Sequence, residues 1–581
     1  MAAPQETERE AARVLRRWSL PSHRRREWRL AAVNDLAPVA PADLVPRPYE
    51  PMQGRCGGRV RISREARWVW VAVLGFVAMS VWWLTQDDRV PDWDSGFHEF
   101  YAAVIHSEVA NGQLTQPFTD YNTYPPLVHL VGALSVFAVG LHPMALILSS
   151  NIVFVPVLAF GCFGVGKLAY GPRAGLLAAL LALGSPMIVS TMHEYYLDAP
   201  QAAMIAVSVW ALLASRHFER VDIAAVAGVL SGLALLTKET SVIFLAGIVL
   251  VAVLRAGPHR YRGQLAFALG ACLVAGPWYV YHAAQLSSTL STIGGLAPNA
   301  VQAPPRFSIA SLTWYGWNLV NEQVLAPFTL AFLIGVAAST RRLVRGRLTA
   351  TNVEAELLGG VFVSYLGMTF LLHKDPRYTL PMLVYVAVLG TGWIATLRLP
   401  RWRAWLSAAV VLIAAIYFVG ISAGIGGAVR IRLPGAQQTL IAQDQLTLYE
   451  TAGWLRGGPV HDGNIQALLG GLRAAGIRDV LLNTGSDSAD FNLAGLRTML
   501  IAQGLHVDNA GAFPANQQAS LIRSPPGPTG PPPCQQMNDG SRIYVVRGPA
   551  FGLDPASMRD SGDPHRRYTL ICPGRPPLAY P

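Results

Sequence analysis

The chain has 581 residues, of which 52% are hydrophobic and only 14% are charged, and its mean hydropathy is +0.33. Soluble domains carry about 25% charged residues, so this composition excludes an ordinary soluble protein and places much of the chain in lipid. A net charge of +11 would suit a nucleic-acid-binding protein. The basic residues fall between apolar segments, however, where they mark cytoplasmic loops. We therefore expect a multi-span membrane protein with no nucleic-acid partner.

The first 66 residues are polar and rich in arginine, with prolines scattered between positions 38 and 51. The first apolar run begins too late for a signal peptide. We expect residues 1–66 to form a largely disordered, basic extension on the cytoplasmic side.

Residues 67–424 alternate long apolar runs with short polar breaks, and a helix needs about 17–25 apolar residues to cross a bilayer. The clear candidate spans are 67–86, 146–167, 174–192, 198–215, 222–237, 240–255, 264–282, 325–340, 355–372, 379–397 and 404–424. A shorter run at 125–141 leaves the number of spans at eleven or twelve. The sequence thus predicts a mainly α, polytopic transmembrane helical bundle.

Loop charge distinguishes the two counts. If only the eleven clear runs cross, the basic clusters between spans all fall on the side of the N-terminus, as the positive-inside rule requires. A full crossing at 125–141 would invert every later loop, so we expect that segment to be interfacial or half-membrane. The outer loops are then 87–124, the turn near 193–198, the turn at 238–239, 283–324, 373–377 and the whole tail.

The tail, residues 425–581, is predicted to be a small extracytoplasmic soluble α/β domain. We expect helices in NIQALLGGLRAAG (464–476) and FNLAGLRTMLIAQG (491–504), and strands in RDVLLNTG, SRIYVVRG and RYTLICPG. Cys534 and Cys572 would be able to pair if the tail faces an oxidising compartment. No Walker loop and no GxGxxG after a strand is present.

The stretch PDWDSGFHEF (91–100) follows the first predicted span directly. The apolar positions after Asp94 follow helical spacing, which predicts an amphipathic helix along the outer interface with Asp94 near its N-terminus. Asp92 and Glu99 are interpreted as solvated loop residues. His98 is a candidate substrate or metal ligand.

Two further clusters lie at turns between spans. In HEYYLDAP (193–200), Asp198 is either a functional carboxylate or a helix cap, and His193 and Glu194 are candidate substrate or metal ligands, although two residues are a weak signal. In LLTKETS, Lys238 is a functional candidate by its depth in the membrane. The alternative for Lys238 is interfacial snorkelling.

The last cluster, HKDPRYTLP (373–381), puts Lys374 and Arg377 on the face where basic residues are disfavoured, which indicates an anionic ligand. The predicted outer face thus combines the carboxylates of Asp94 and Asp198 with several cations. A carboxylate base and cations that stabilise a leaving phosphate suit group transfer from a phosphate-linked donor.

The order of these motifs resembles the type-C glycosyltransferases, in particular the branch that contains the protein O-mannosyltransferases and the lipid A aminoarabinose transferases. The resemblance covers about residues 67–400. In chain order the matching motifs are Asp94 of the first outer loop, YPPL (124–127), YLDAP (196–200), LLTKE (235–239) and KDPRYTLP (374–381).

The resemblance implies a type-C membrane fold and an enzyme of the cell envelope, in the plasma or inner membrane. It would transfer a hexose or pentose from a polyprenyl-phosphate donor to an acceptor hydroxyl at the extracytoplasmic face. By the roles known in the family, Asp94 would be the general base and Asp198 would organise the site. Lys238, Lys374 and Arg377 would contact the donor phosphate.

Two positions depart from the family pattern. Ser95 stands where relatives carry Glu, and Tyr124, a candidate substrate contact, stands where they carry Lys. These departures leave open whether the acceptor is a protein, a lipid or a polysaccharide, and whether a divalent metal is required. No other cofactor is implied.

Two alternatives remain at this stage. A polytopic transporter or lipid-linked glycan flippase predicts ionisable residues deep within spans and repeated halves. An oligosaccharide ligase or oligosaccharyltransferase predicts a long outer loop with several acidic metal ligands, whereas loop 283–324 has one acid, Glu322.

Overall fold

The computed structural model describes residues 62–119, 124–291, 304–305, 307–346, 352–371, 374–433, 445–450, 457–461, 469–470, 479–482, 493–509, 543–547, 567–571 and 578–579. Several sequence predictions lie outside these residues. They are the extension before residue 62, most of the helix predicted at 464–476, His373 and the cysteines Cys534 and Cys572.

Helices make up the part of the fold that corresponds to the apolar runs. In chain order they are α1 Arg64–Gln86, α2 Trp93–Ala110, α3 Gln116–Thr119, α4 Leu127–Val139, α5 Pro143–Tyr170, α6 Pro172–Leu183, α7 Pro186–Thr191, α8 Asp198–Ala214, α9 Val221–Leu235, α10 Ser241–Ala256, α11 Tyr261–Tyr281, α12 Ala283–Ser291, α13 Ile309–Asn318, α14 Leu325–Val344, α15 Glu354–Phe370, α16 Leu383–Ala395 and α17 Pro400–Ala423. Short 3₁₀ segments precede α11 (Pro258–Arg260) and α16 (Pro376–Met382), and a π-helix, Leu319–Gln323, precedes α14. The prediction of a mainly helical membrane protein is confirmed.

Every predicted span coincides with a helix, but the helices differ in length. By length and composition, six helices among the described residues can cross a membrane: Arg64–Gln86, Pro143–Tyr170, Pro258–Tyr281, Leu325–Val344, Pro376–Ala395 and Pro400–Ala423. The predicted span 174–192 is broken into α6 and α7 at Gly184–Ser185, where a proline begins the second helix. The remaining predicted spans are helices of 15–17 residues.

The segment 125–141 forms the 13-residue helix α4. At a rise of 1.5 Å per residue it extends about 20 Å, which is shorter than the roughly 30 Å hydrocarbon core of a bilayer. The predicted spans of 15–17 residues are also shorter than this core, so the contacts between the loops before and after α4 decide the question. The Tyr195 backbone N–H donates to Oγ of Ser95 at 2.8 Å, so the loops before α4 and after α7 lie at the same end of the bundle. The eleven-crossing arrangement places them together, whereas a full crossing by α4 would separate them.

A group of buried ionic contacts lies at the end of the bundle opposite to Ser95 and Tyr195. Glu356, at the start of α15, is bound by Arg255 (2.7 Å) and His217 (2.5 Å). Glu354 accepts a hydrogen bond from Tyr170 (2.8 Å) and pairs with Arg342. These residues come from the loops and helix ends that carry the basic clusters, which the topology prediction puts on the cytoplasmic side.

The centre of the bundle is formed by α5 to α8 and α16, where most side chains are buried. The peripheral helices α1, α11, α14 and α17 bury only part of their surface. Their exposed faces carry large apolar side chains such as Leu74, Leu273 and Leu412. Lipid-facing surfaces have this composition, because water is not the solvent there.

The described residues of the tail form seven strands and a ten-residue helix. They are β1 Val429–Arg432, β2 Gln445–Tyr449, β3 Asp479–Leu482, α18 Leu493–Ala502, β4 His506–Asn509, β5 Ile543–Arg547, β6 Arg567–Ile571 and β7 Leu578–Ala579. Strands β1 and β2 pair antiparallel, β3 and β4 pair parallel, and β5, β6 and β7 form an antiparallel sheet in that order. Strands β3, β5 and β6 and helix α18 occupy the positions predicted from the sequence. Gly504, the last residue of the predicted helical stretch 491–504, has a φ of +77°, which is the conformation in which glycine commonly ends a helix.

The tail packs against the end of the bundle that carries Ser95. Nε1 of Trp83 donates to the Gly457 carbonyl oxygen (2.9 Å), and Oδ1 of Asn321 in the π-helix accepts from the Thr447 backbone N–H (2.9 Å). Oγ1 of Thr498 in α18 donates to the Gly96 carbonyl oxygen in α2 (3.0 Å). The tail and this end of the bundle are therefore in direct contact.

Candidate active site

Polar clusters that lie far apart in the sequence meet at this end of the bundle. Nη2 of Arg377 lies 2.7 Å from Oδ2 of Asp94, and Nζ of Lys238 lies 2.7 Å from Oδ1 of Asp198. The charge of Arg377 also acts on the Asp198 carboxylate. The structure thus brings two ion pairs, from four different loops or helix ends, into one cluster.

Asp94 is the accessible carboxylate of this cluster. It is the second residue of α2, and its side chain is 32% exposed, whereas that of Asp198 is 4% exposed. A carboxylate that accepts a proton from an incoming hydroxyl has to be within reach of that hydroxyl. Of the two aspartates, Asp94 meets this condition and Asp198 is enclosed.

Arg377 is held by a second carboxylate that the sequence did not single out. Asp375 caps the 3₁₀ segment by accepting the Arg377 backbone N–H at 2.8 Å. It also accepts from Nε (3.1 Å) and Nη2 (2.9 Å) of Arg377. This fork orients the guanidinium, because two parallel hydrogen bonds fix both its position and its plane.

Two alternatives that the sequence left open are wrong: Asp198 is not a helix cap, and Lys238 does not extend to the membrane interface. The N-cap of α8 is Leu197, and no side chain caps this helix, so Asp198 lies in the first turn and pairs with Lys238 instead. Lys238 is 9% exposed, which excludes a side chain extended into solvent. Burial lowers the pKa of Lys238, but the neighbouring Asp198 carboxylate outweighs that effect and the pKa is raised overall.

Lys374 differs from the other two cations. Its Nζ donates to the Thr369 carbonyl oxygen at 2.8 Å and lies 5.1 Å from the centre of the Tyr315 ring. Within the described ranges, no carboxylate lies at salt-bridge distance from it. Burial lowers the pKa of Lys374 to about 8.

His98 and Tyr124 lie beside the two ion pairs. Nδ1 of His98 is 3.1 Å from Nε2 of His129, and the His98 and Tyr124 ring centres are 4.8 Å apart. Burial, with a smaller contribution from Lys238, lowers the pKa of His98 to about 3, while burial raises the pKa of Tyr124 to about 12. Both groups are therefore neutral at physiological pH and act through hydrogen bonds.

Of the two residues interpreted as solvated, Glu99 is buried and Asp92 is partly buried. Glu99 is fully buried and accepts from Oγ of Ser95 (3.4 Å), and Asp92 accepts from the Tyr196 hydroxyl (2.5 Å). Ser95 itself is fully buried and accepts the Tyr195 backbone N–H. The serine that replaces the glutamate of the family pattern therefore joins α2 to the turn after α7. A glutamate there would bring a second buried carboxylate next to Glu99.

The candidate metal ligands are not gathered into one site. The ring of His193 stacks on Trp83 with centres 4.1 Å apart, and Oε2 of Glu194 accepts the Asp92 backbone N–H at 3.4 Å. His98 pairs with His129 as described. In the part of the chain that the structure describes, no group of three or more His, Cys, Asp or Glu side chains could hold a metal ion.

Gln323 and Asp375, two residues that support the position of Arg377, were not among the candidates selected from the sequence. Nε2 of Gln323, at the end of the π-helix, donates to the Pro376 carbonyl oxygen (2.5 Å) and to Oγ1 of Thr379 (2.6 Å). It thereby supports the segment that carries Arg377. Asp375 had a signal, since it lies between two cations in a polar cluster, but Gln323 had none.

Residues 123–281 match the family described as dolichyl-phosphate-mannose-protein mannosyltransferase. The resemblance to the type-C glycosyltransferases is confirmed by this match. The matched region contains Tyr124, Asp198 and Lys238, and the motifs around Asp94 and Arg377 lie outside it. No curated protein sequence matches the chain.

Three solved structures are similar at low sequence identity. ArnT from Cupriavidus metallidurans in the apo state is 17% identical, with a TM-score of 0.44, over 63% of this chain and 66% of that one. The same protein bound to undecaprenyl phosphate is 16% identical, with a TM-score of 0.45, over 62% and 66%. The oligosaccharyltransferase of Archaeoglobus fulgidus, in complex with Zn and sulfate, is 14% identical, with a TM-score of 0.40, over 60% and 53%. This chain therefore spans no more than 66% of the length of any of the three.

Proposed function

We propose that the protein is an integral-membrane glycosyltransferase that transfers a sugar from a polyprenyl-phosphate-linked donor to an acceptor hydroxyl. The observation that carries this proposal is the contact of Asp94 with Arg377 in a cluster that also holds Lys238 and Lys374. One accessible carboxylate next to fixed cations suits a reaction that removes a proton from one reactant and releases a phosphate from the other. The family match over residues 123–281 supports the class of donor.

The reaction is a single displacement. The acceptor oxygen attacks the anomeric carbon and forms the new glycosidic bond, while the bond from that carbon to the phosphate oxygen breaks. Asp94 takes the hydroxyl proton, and the polyprenyl phosphate leaves with the electron pair of the broken bond. The anomeric configuration is inverted.

Each cation has a separate part in this mechanism. Lys374 has no carboxylate partner among the described residues and meets the donor phosphate as an uncompensated charge. Arg377 connects the base to the leaving group, because Nη2 contacts Asp94 and the guanidinium is held by Asp375. The Lys238–Asp198 ion pair holds the turn before α10 against the start of α8. Removing one partner would leave the other charge buried and unpaired, at a cost of about 3–5 kcal/mol.

The outer face of the plasma or inner membrane is the proposed location of the site. The basic clusters lie at the opposite end of the bundle, which is the cytoplasmic end by the positive-inside rule. Polyprenyl-phosphate sugars reach that face without a nucleotide, in keeping with a sequence that carries no nucleotide-binding loop. The acceptor is a hydroxyl of a protein, lipid or polysaccharide of the cell envelope.

The test uses the full chain in proteoliposomes with undecaprenyl-phosphate-linked hexoses and pentoses and an envelope extract as the source of acceptors. We expect the wild type to release polyprenyl phosphate and Asp94→Asn to do so at least 100-fold more slowly, as for loss of a general base. Asp222→Asn is the matched control, because Asp222 is 71% exposed at the other end of the bundle. An Asp94→Asn variant as fast as wild type contradicts the role of Asp94. Movement of intact donor between leaflets without cleavage would instead support the transporter alternative.

A further inference from the structure

Tyr196 lies against the face of the Arg377 guanidinium. Cζ of Arg377 is 4.3 Å from the centre of the Tyr196 ring, and Tyr196 is 3% exposed. A guanidinium over an aromatic ring is attracted by the negative face of the ring, and more strongly where water is excluded. The ring thus limits movement of Arg377 perpendicular to its own plane.

The other end of Tyr196 is anchored on the segment that begins α2. Its hydroxyl donates to Oδ2 of Asp92 at 2.5 Å. Asp92 is the N-cap of α2, yet its side chain makes no capping hydrogen bond to the helix, although aspartate at this position usually does so. Burial raises the pKa of Tyr196 well above that of a free tyrosine, so the phenol keeps the proton that it donates.

Asp375 and Tyr196 restrict Arg377 in complementary directions. Asp375 binds the guanidinium edge through Nε and Nη2, which fixes the plane. Tyr196 covers one face of that plane and is itself tied to Asp92, two residues before Asp94. Asp92 and Asp94 both lie at the start of α2. The hydrogen bond from Tyr196 to Asp92, here called the tie, therefore links the position of Arg377 to the position of Asp94.

We propose that Tyr196, anchored by Asp92, is a positioning residue that holds the guanidinium of Arg377 at its contact with Asp94. This inference rests on the proposed function, in which Asp94 is the base and Arg377 meets the leaving phosphate. Loss of the tie lets the two groups separate while leaving both present. The cost falls on the chemical step, because positioning errors of about 1 Å can lower a rate by about 100-fold.

The experiment measures kcat and the donor KM for Tyr196→Phe, Tyr196→Leu, Asp92→Ala and the Tyr196→Phe/Asp92→Ala double variant. Tyr196→Phe keeps the ring and removes the tie, and we expect kcat to fall about tenfold with the donor KM changed less than about threefold. Tyr196→Leu removes both the aromatic ring and the hydrogen bond to Asp92, and we expect it to lower kcat about 100-fold. We expect the double variant to be no slower than the slower single variant, because Tyr196→Phe and Asp92→Ala remove the same hydrogen bond.

Tyr195→Phe is the matched control. The Tyr195 hydroxyl is equally buried but donates to the Val128 carbonyl oxygen (2.6 Å), away from Arg377. This variant is expected to lower the unfolding temperature and to leave kcat unchanged, which separates a structural effect from a positioning effect.

Two outcomes overturn the inference. If the wild type is active and Tyr196→Phe has the wild-type kcat, the hydrogen bond from Tyr196 to Asp92 does not hold Arg377 in place, and the proposed function stands. If the two single effects multiply in the double variant, the residues act independently and the tie does not operate. A wild type that cleaves no donor overturns the proposed function itself.

Discussion

Lys374 contributes a charge whose presence depends on pH. Burial lowers its pKa from 10.5 to about 8, so the ammonium form predominates below about pH 8 and is lost above it. Binding of an anionic phosphate favours the charged form, so the pKa of Lys374 is higher in the donor complex than in the free protein. Donor affinity is therefore full below the free-protein pKa and falls as the pH rises through it.

We predict that the donor KM rises above about pH 8, by up to tenfold per pH unit, which is the limit for loss of one proton. The donor KM is measured between about pH 7 and pH 9.5, where the charge of the donor phosphodiester does not change. Lys374→Arg should flatten the curve, since arginine stays protonated. Lys374→Met should bind donor weakly at every pH. Parallel curves for wild type and Lys374→Arg would assign the titration to another group.

The contact between α2 and α18 places the tail directly behind the helix that carries Asp94. An ideal Cβ on Gly96 would lie 2.3 Å from the Gly495 nitrogen, and one on Gly495 would lie 2.2 Å from the Pro91 carbonyl oxygen. Both distances involve backbone atoms, which cannot move aside as a flexible side chain can. The two glycines therefore allow an approach that no other residue permits.

We predict that Gly495→Ala forces α18 away from α2 and lowers kcat by about tenfold or more through displacement of Asp94. Gly470→Ala is the control in the same tail, because a Cβ on Gly470 meets nothing within 4 Å. Steady-state kinetics, together with limited proteolysis of the tail, measure both effects. An increase in proteolysis without loss of kcat would show that the tail does not support Asp94.

The elements differ in how far the sequence could predict them. The helices of the bundle follow from long apolar runs, because a helix is the way in which a chain satisfies its backbone hydrogen bonds in lipid. The cluster residues Asp94, Asp198, Lys238 and Arg377 could be selected because charge at a span end is costly and unusual.

The partners of these elements could not be predicted. The α2–α18 contact joins Gly96 to a residue almost 400 positions later, and no local pattern encodes it. Likewise, Tyr196 begins the YLDAP motif, but the sequence does not indicate its contact with Arg377, since that contact depends on the packing of distant segments. Glu99 was misread because a carboxylate near a membrane surface usually stays in water, whereas here Ser95 and the surrounding packing enclose it.

The molecule as a whole has two polar ends with different charge chemistry. One end holds the Asp94–Arg377 and Asp198–Lys238 pairs, and the other holds the carboxylates of α15 with their arginine partners. Loops alternate between these ends in the order that eleven crossings require. The contacts determine which loops share an end, and the positive-inside rule assigns the end with the basic clusters to the cytoplasm.

We predict that the tail and the active site are extracytoplasmic. A reporter enzyme that is active only after export should be active when fused after residue 432 and inactive when fused after Glu219, which is in the loop between α8 and α9. A cytoplasmic reporter at the same two positions should give the opposite result. Because α4 lies between α1 and α5, a twelve-crossing chain with a cytoplasmic N-terminus would invert both fusions. That chain would also separate the loop of Asp94 from the loop of Asp198, which the contact between Ser95 and Tyr195 excludes. Activity of the exported reporter after Glu219 and not after 432 would therefore mean that the whole eleven-crossing bundle is inverted and that the site faces the cytoplasm.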